Sequence, residues 1–189
     1  MHPYFDFPPL QTARLLIRPL AESDVPAFFA LFADPVAARY LSAPPMTDIA
    51  QAAEKLARIM AHYETGDVLQ LAVARREDGC LLGTVTLHQI HRQNRRAELG
   101  YMLGSAWWGQ GYMHEALVAF VSHAFDAMQF HRLEADIDPR NKASAKSLER
   151  LGFQREGYLR ERWIVAGEVS DSAVYGLLAG EWPAAAGVA

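Results

Sequence analysis

Residues 97–137 constrain the fold more than any other stretch of the chain. Between 97 and 103, Leu99, Tyr101 and Leu103 alternate with Glu98, Gly100 and Met102, the two-residue period of a strand. Gly104, Gly109 and Gly111 punctuate the turn that follows. From Gly111 to Met128 the apolar residues Met113, Leu117, Phe120, Val121, Ala124 and Met128 recur at helical spacing. Leu133, Ala135 and Ile137 then alternate once more. A strand, a helix and a strand in that order form a crossover, so the two strands run parallel.

The flanking segments are mostly antiparallel in character. Residues 12–18 predict a first strand, and 22–32 and 47–63 two helices with the Pro44-Pro45 loop between them. Leu69, Leu71 and Val73 alternate, Glu77-Asp78-Gly79 turns, and 81–88 returns, which is a hairpin. Residues 141–151 predict a helix closed by Gly152. Two last strands, 153–165 and 168–178, meet at Ala166-Gly167. The expected fold is α/β (α+β): a mixed, mostly antiparallel sheet of about seven strands flanked by about four helices. Residues 1–183 read as one domain and 184–189 as a flexible Ala/Gly tail.

Charge and cysteine content exclude several function classes. A net charge of -4 carries no basic footprint for nucleic acid, and it suits a cationic partner. The single Cys80 cannot build a disulfide framework. No apolar run approaches the roughly 18 residues of a membrane span. The first residues lack the charged start and apolar run of a signal peptide, so a cytoplasmic location is expected.

The turn at 104–112 points to chemistry. The first amides of a helix have no internal partner and sit at the positive end of its dipole. Glycines let a ligand approach that backbone closely. The combination is a diphosphate cradle. No Lys-Ser or Lys-Thr follows the turn, and G-x-G-x-x-G is missing, so neither a P-loop nor a Rossmann site fits.

These segments resemble the GCN5-related N-acetyltransferase (GNAT) family, in particular its RimJ/RimL-like ribosomal-protein alanine N-acetyltransferase branch. The resemblance runs from Thr12-Ala13-Arg14-Leu15 through Glu98-Leu99-Gly100-Tyr101 and Trp108-Gly109-Gln110-Gly111-Tyr112. It continues through Asn141-Lys142-Ala143-Ser144 and Leu151-Gly152-Phe153 to Asp171, Tyr175 and Glu181-Trp182. It implies that acetyl-CoA is the cosubstrate and that the parallel strands splay to admit pantetheine. It implies cofactor contacts at Met102, Leu103, Gly104, Trp107, Gly109, Gln110, Gly111, Tyr112 and Asn141, with the Met102 N–H facing the thioester oxygen. Ala106 departs from the family's Gln or Arg, which leaves the grip to the amides of Trp107, Gly109, Gly111 and Tyr112.

An acetyl transfer to an amine needs a base and gains from an acid, because an α-amine with a pKa near ~8 is mostly protonated at neutral pH. A glutamate inside a strand is disfavoured unless it has a task or a solvated face. Glu98 is therefore either a base or a surface carboxylate paired with Arg95 or Arg96; the resemblance favours the base. Asn141 and Ser144 share the inward stripe of their helix with Leu148 and Leu151. Capping explains both, whereas the resemblance makes Ser144 the acid for the leaving thiolate and Asn141 a cofactor contact. Tyr158 and Tyr175 are reserve acids. No metal is expected, since His88 and His91 have no obvious third ligand.

The expected reaction is direct attack of a primary amine on acetyl-CoA in a ternary complex. The acceptor is a protein N-terminal α-amine or a small amine such as a polyamine, amino acid or antibiotic. The alternative is an acetyl-CoA sensor or interaction protein with little turnover. Expected partners include neither nucleic acid nor membrane, and the protein is expected as a monomer or homodimer.

Overall fold

The computed structural model describes residues 7–183. Its elements are β1 (Leu10–Gln11), β2 (Leu15–Pro19), α1 (Val25–Ala33), α2 (Ile49–Thr65), β3 (Leu69–Arg75), β4 (Leu81–His91) and β5 (Arg96–Leu103). They continue with α3 (Tyr112–Asp126), β6 (Arg132–Ile137), α4 (Lys142–Arg150), β7 (Gln154–Val165) and β8 (Glu168–Leu178). The strands form one sheet in the order β1-β2-β3-β4-β5-β6-β8-β7. Among the described residues only the central β5–β6 pair is parallel. All four expected helices form, and the sheet has one more strand than the sequence reading, the two-residue β1. The expected tail at 184–189 lies outside the described residues.

Local chemistry sets the helix ends. Asp48 opens α2 by accepting the Ala50 N–H at 2.8 Å, and Gly66 closes it with φ 79° and an N–H bonded to the His62 carbonyl. At α4, Asn141 Oδ1 accepts the Ser144 N–H at 3.1 Å, and Gly152 follows with φ 92°.

The apolar residues form two buried clusters. One gathers Leu15, Ile17, Leu71, Val73, Val85 and Leu99 with Leu117, Phe120 and Val121 of α3. The other places Phe28, Leu31 and Phe32 of α1 and Leu56 and Ile59 of α2 against Ala72 and Met102. β3 is buried along nearly its whole length because both clusters cover it. Side chains such as Phe28 and Phe120, fully removed from water, each contribute about 1.5–3 kcal/mol. This packing fixes β5 rigidly along its β4 side and leaves its other edge to define the site.

Candidate active site

β5 and β6 pair only at Arg96↔Arg132, Ala97↔Leu133 and Glu98↔Glu134. Beyond Glu98 the two strands part, while β5 stays paired with β4 as far as Leu103. The result is a gap in the middle of the sheet, opening at Glu98 and leading to the start of α3.

The register decides which backbone groups line that gap. The Gly104 N–H donates to the Leu82 carbonyl at 2.9 Å, and Met102 is paired with Thr84. Alternate residues in an antiparallel ladder face the same neighbour, so the Met102 main chain is directed to β4. Its side chain is buried with α1 and α2. This corrects the expectation that the Met102 N–H faces the gap. Tyr101 and Leu103 present their main chains there instead. Of these groups, the Leu103 carbonyl already accepts the Trp108 indole N–H at 2.8 Å.

The turn before α3 is partly self-satisfied. The Trp107 N–H donates to the Gly104 carbonyl at 3.0 Å in a 3₁₀ turn, so it is not a spare donor as expected. Gly109 and Gly111 adopt φ values of 76° and 79°, the left-handed region that favours glycine. Gly111 is the N-cap of α3 and brings no side chain to its first turn. The amides of Tyr112, Met113 and His114 therefore open the helix without a cap. Arg14 braces the turn from outside: its guanidinium donates to the Gln110 carbonyl at 3.0 Å, pairs with Glu115 at 2.6 Å and stacks on the Tyr112 ring. The Gln110 side chain folds back onto the Ala106 carbonyl at 3.1 Å.

Glu98 sits at the point of divergence, on the same sheet face as Glu134. Gln89 Nε2 donates to its Oε2 at 2.9 Å, and His88 Nε2 lies 3.6 Å from its Oε1. Burial first, then the nearby Asp136 and Glu134 charges, push its carboxyl up to about 7, against a smaller opposing pull from Arg162 and Arg96. Arg96, offered by the sequence as its neutralising partner, bonds Glu134 at 2.8 Å instead. Gly100, next on the same face, adds no side chain, and the His88 imidazole packs beside it, 3.6 Å from where a Cβ would stand.

Ser144 lies on the other face of β5. Its hydroxyl is 2.8 Å from the Tyr101 hydroxyl, which also lies 3.2 Å from the Ser144 carbonyl. Burial holds the Tyr101 phenol up at about 12 despite the opposing Ser144 hydrogen bond, so it stays protonated. Tyr101 was not among the sequence candidates. Asn141 is occupied in capping α4. The reserve tyrosines are engaged elsewhere: Tyr158 donates to Asp171, whose other oxygen accepts the Glu161 N–H at 2.7 Å, and Tyr175 is a core residue 3.5 Å from Glu149.

The segment after α1 and the segment before α4 are both tied to the start of β8. Glu168, just after the Ala166-Gly167 turn, pairs with Arg39 at 3.1 Å and with Arg140 at 2.6 Å. Among the described residues no cluster of three metal-ligating side chains exists, and no helix is long and apolar enough to cross a membrane.

Comparison with known proteins agrees with this geometry. Residues 14–154 match the family model described as the acetyltransferase (GNAT) domain. An uncharacterized N-acetyltransferase of Bacillus subtilis (strain 168), YoaA, is 33% identical over 172 residues, 91% of this chain and 97% of its own length. The ribosomal protein uS5-alanine N-acetyltransferase of Escherichia coli (strain K12) is 29% identical over 129 residues, 68% of this chain and 66% of its own. Mycobacterium smegmatis RimJ, solved in complex with CoA-disulfide, superposes with a TM-score of 0.81 at 26% identity, covering 97% of this chain and 93% of that one. The chain belongs to the GNAT family and is an N-acetyltransferase.

Proposed function

We propose that the protein transfers an acetyl group from acetyl-CoA to a primary amine, with Glu98 as base and Ser144 as acid. The observation that carries this reading is the coincidence of two openings. The sheet parts immediately beyond Glu98, and the same gap leads to the uncapped first turn of α3. Acetyl-CoA fits this arrangement. The α3 amides suit its diphosphate, and the Tyr101 and Leu103 main chains suit the amides of its pantetheine arm.

When bound, acetyl-CoA supplies the activated acyl group. Glu98 takes a proton from the incoming ammonium, directly or through water, and frees the nitrogen lone pair. Its raised pKa places that transfer near neutral pH. The amides bordering the gap offer donors to the negative charge that develops on the carbonyl oxygen. Tyr101, kept protonated, holds Ser144 Oγ at 2.8 Å, and Ser144 gives its proton to the departing sulfur. The placement of Glu98 and Ser144 on opposite faces of one gap supports direct attack in a ternary complex.

The relative that acetylates the alanine of uS5 favours a peptide α-amine as acceptor. Small amines are the second class to screen. Titration calorimetry with CoA, followed by an acceptor screen that compares alanyl, seryl and threonyl peptides with spermidine, tests the reading. Micromolar CoA binding and acceptor-dependent thiol release are expected. Absence of CoA binding overturns it, and binding without turnover on any amine identifies a sensor instead.

A further inference from the structure

Asp136 is a carboxylate that the reaction above does not use. It lies on β6 two residues beyond Glu134, the last residue paired with β5. It shares the Glu98–Glu134 face, because alternate strand residues point the same way. The β5 residue that continued pairing would set opposite it is Gly100, which has no side chain. The Asp136 side chain is 12% exposed, and its Oδ1 is buried without a hydrogen-bond partner among the described residues. Its Oδ2 has only a long contact, 3.9 Å to Nε of the half-exposed Arg162.

A second orphan lies beside it. On β8, Val174 pairs directly with Asp136, so Ser172, two residues earlier, occupies the same face on the diagonal. Ser172 is fully buried, and its Oγ also lacks a partner. A buried carboxylate oxygen left unpaired is costly. Two unpaired oxygens on one sheet face beside the gap suit a group that brings positive charge and several N–H donors.

We propose that Asp136 and Ser172 form the ammonium subsite of the acceptor, seating the charged amine on Asp136 Oδ1 and Ser172 Oγ next to Glu98. The inference rests on the transferase reading and adds where the amine docks before it is deprotonated. The ammonium then passes one proton to the Glu98 carboxylate, so the subsite itself exchanges none. Arg162 competes for the same carboxylate. The site therefore selects a protonated primary amine small enough at its nitrogen to enter the gap, and disfavours acylated or otherwise uncharged nitrogen.

The probe is alaninamide at pH 6.5, where its amine is charged, with N-acetylalaninamide as the uncharged control. Binding is read by saturation-transfer NMR with and without CoA, and CoA affinity is measured separately by calorimetry. The wild type is expected to bind alaninamide at least tenfold more tightly than the control. Asp136→Asn should erase that preference without changing CoA affinity, Ser172→Ala should reduce it a few-fold, and Arg162→Gln should strengthen it. Equal binding of the two probes by the wild type, or an unchanged preference in Asp136→Asn, overturns the subsite. Failure of the transferase reading appears separately, as absent CoA heat.

Discussion

Asp24 and Glu98 are carboxylates removed from water in the same sheet-and-helix framework, and they meet opposite fates. Asp24, at the foot of α1, receives two hydrogen bonds from the Arg18 guanidinium, at 2.7 and 2.8 Å, and one from the Ala21 N–H at 2.9 Å. Burial pushes its carboxyl up, but these donors and the Arg18 charge more than offset that, and it ends below the ordinary value. Glu98 receives one neutral donor, Gln89, and faces the Asp136 and Glu134 charges; it is pushed up to about 7. Burial raises both carboxyls; the neighbours decide the outcome. A paired carboxylate holds structure, whereas an underpaired one at a gap is available for proton transfer.

The sharpest way to break this contrast is to neutralise each carboxylate in place. Glu98→Gln keeps the shape and removes the proposed base. We expect kcat/KM for the acceptor to fall about 10²–10⁴-fold, with CoA affinity unchanged. The wild-type pH profile should rise through an apparent pKa near 7 as Glu98 ionises, and this limb should vanish in the variant. A retained limb assigns the titration to another group, with His88, 3.6 Å away, the first suspect.

Asp24→Asn should do the reverse. It leaves Arg18 without its bidentate partner at a mostly buried site. A loss of about 2–4 kcal/mol in urea unfolding is expected, with kcat per folded molecule retained. If the two variants exchange their effects, the division between structural and catalytic carboxylates is wrong.

How far the sequence exposed this division depends on whether the deciding neighbour is local. Glu98 was legible because strand alternation places it on a face and a glutamate there needs a reason. The Asp24–Arg18 pair crosses from β2 to the turn before α1, and nothing in the sequence singled it out. Tyr101 was placed on the correct face, but its partner Ser144 is 43 residues away and is brought to it only by how α4 docks. The Trp107 amide was misread because the glycine turn contains a 3₁₀ turn that consumes it. The Met102 error has a different source. Alternation of side chains was read correctly, but the direction of main-chain groups depends on register with β4, which no single strand encodes. Asp136 carried the same signal as Glu98, a carboxylate inside a predicted strand, and that signal finds it once it is followed.

The acid side admits a smaller test. Ser144→Ala removes the hydroxyl that meets Tyr101, and kcat should fall about tenfold or more. Tyr101→Phe leaves the serine in place but takes away its hydrogen-bond partner, so a drop of a few-fold is expected. If Tyr101→Phe is the more damaging variant, the phenol itself is the acid and Ser144 its positioning residue.

The smallest effect is also the most direct physical check, because it needs no acceptor. A glutamate whose folded pKa is raised to about 7, from an unfolded value near ~4.3, binds more protons when folded than when unfolded between those limits. Its stabilising contribution is complete below the unfolded value and is lost as pH rises through about 7. Glu98→Gln carries no such dependence. The stability of the variant minus that of the wild type should therefore grow between pH 5 and pH 8, by about 1–3 kcal/mol once the partial solvent contact of the side chain is allowed for. Taking the difference largely cancels the other titrating groups, including His88, whose pKa burial lowers and which by itself makes the fold more stable as pH rises. A flat difference would show that Glu98 is ionised with ordinary ease in the folded protein. Its contrast with Asp24 would then reduce to one of position alone.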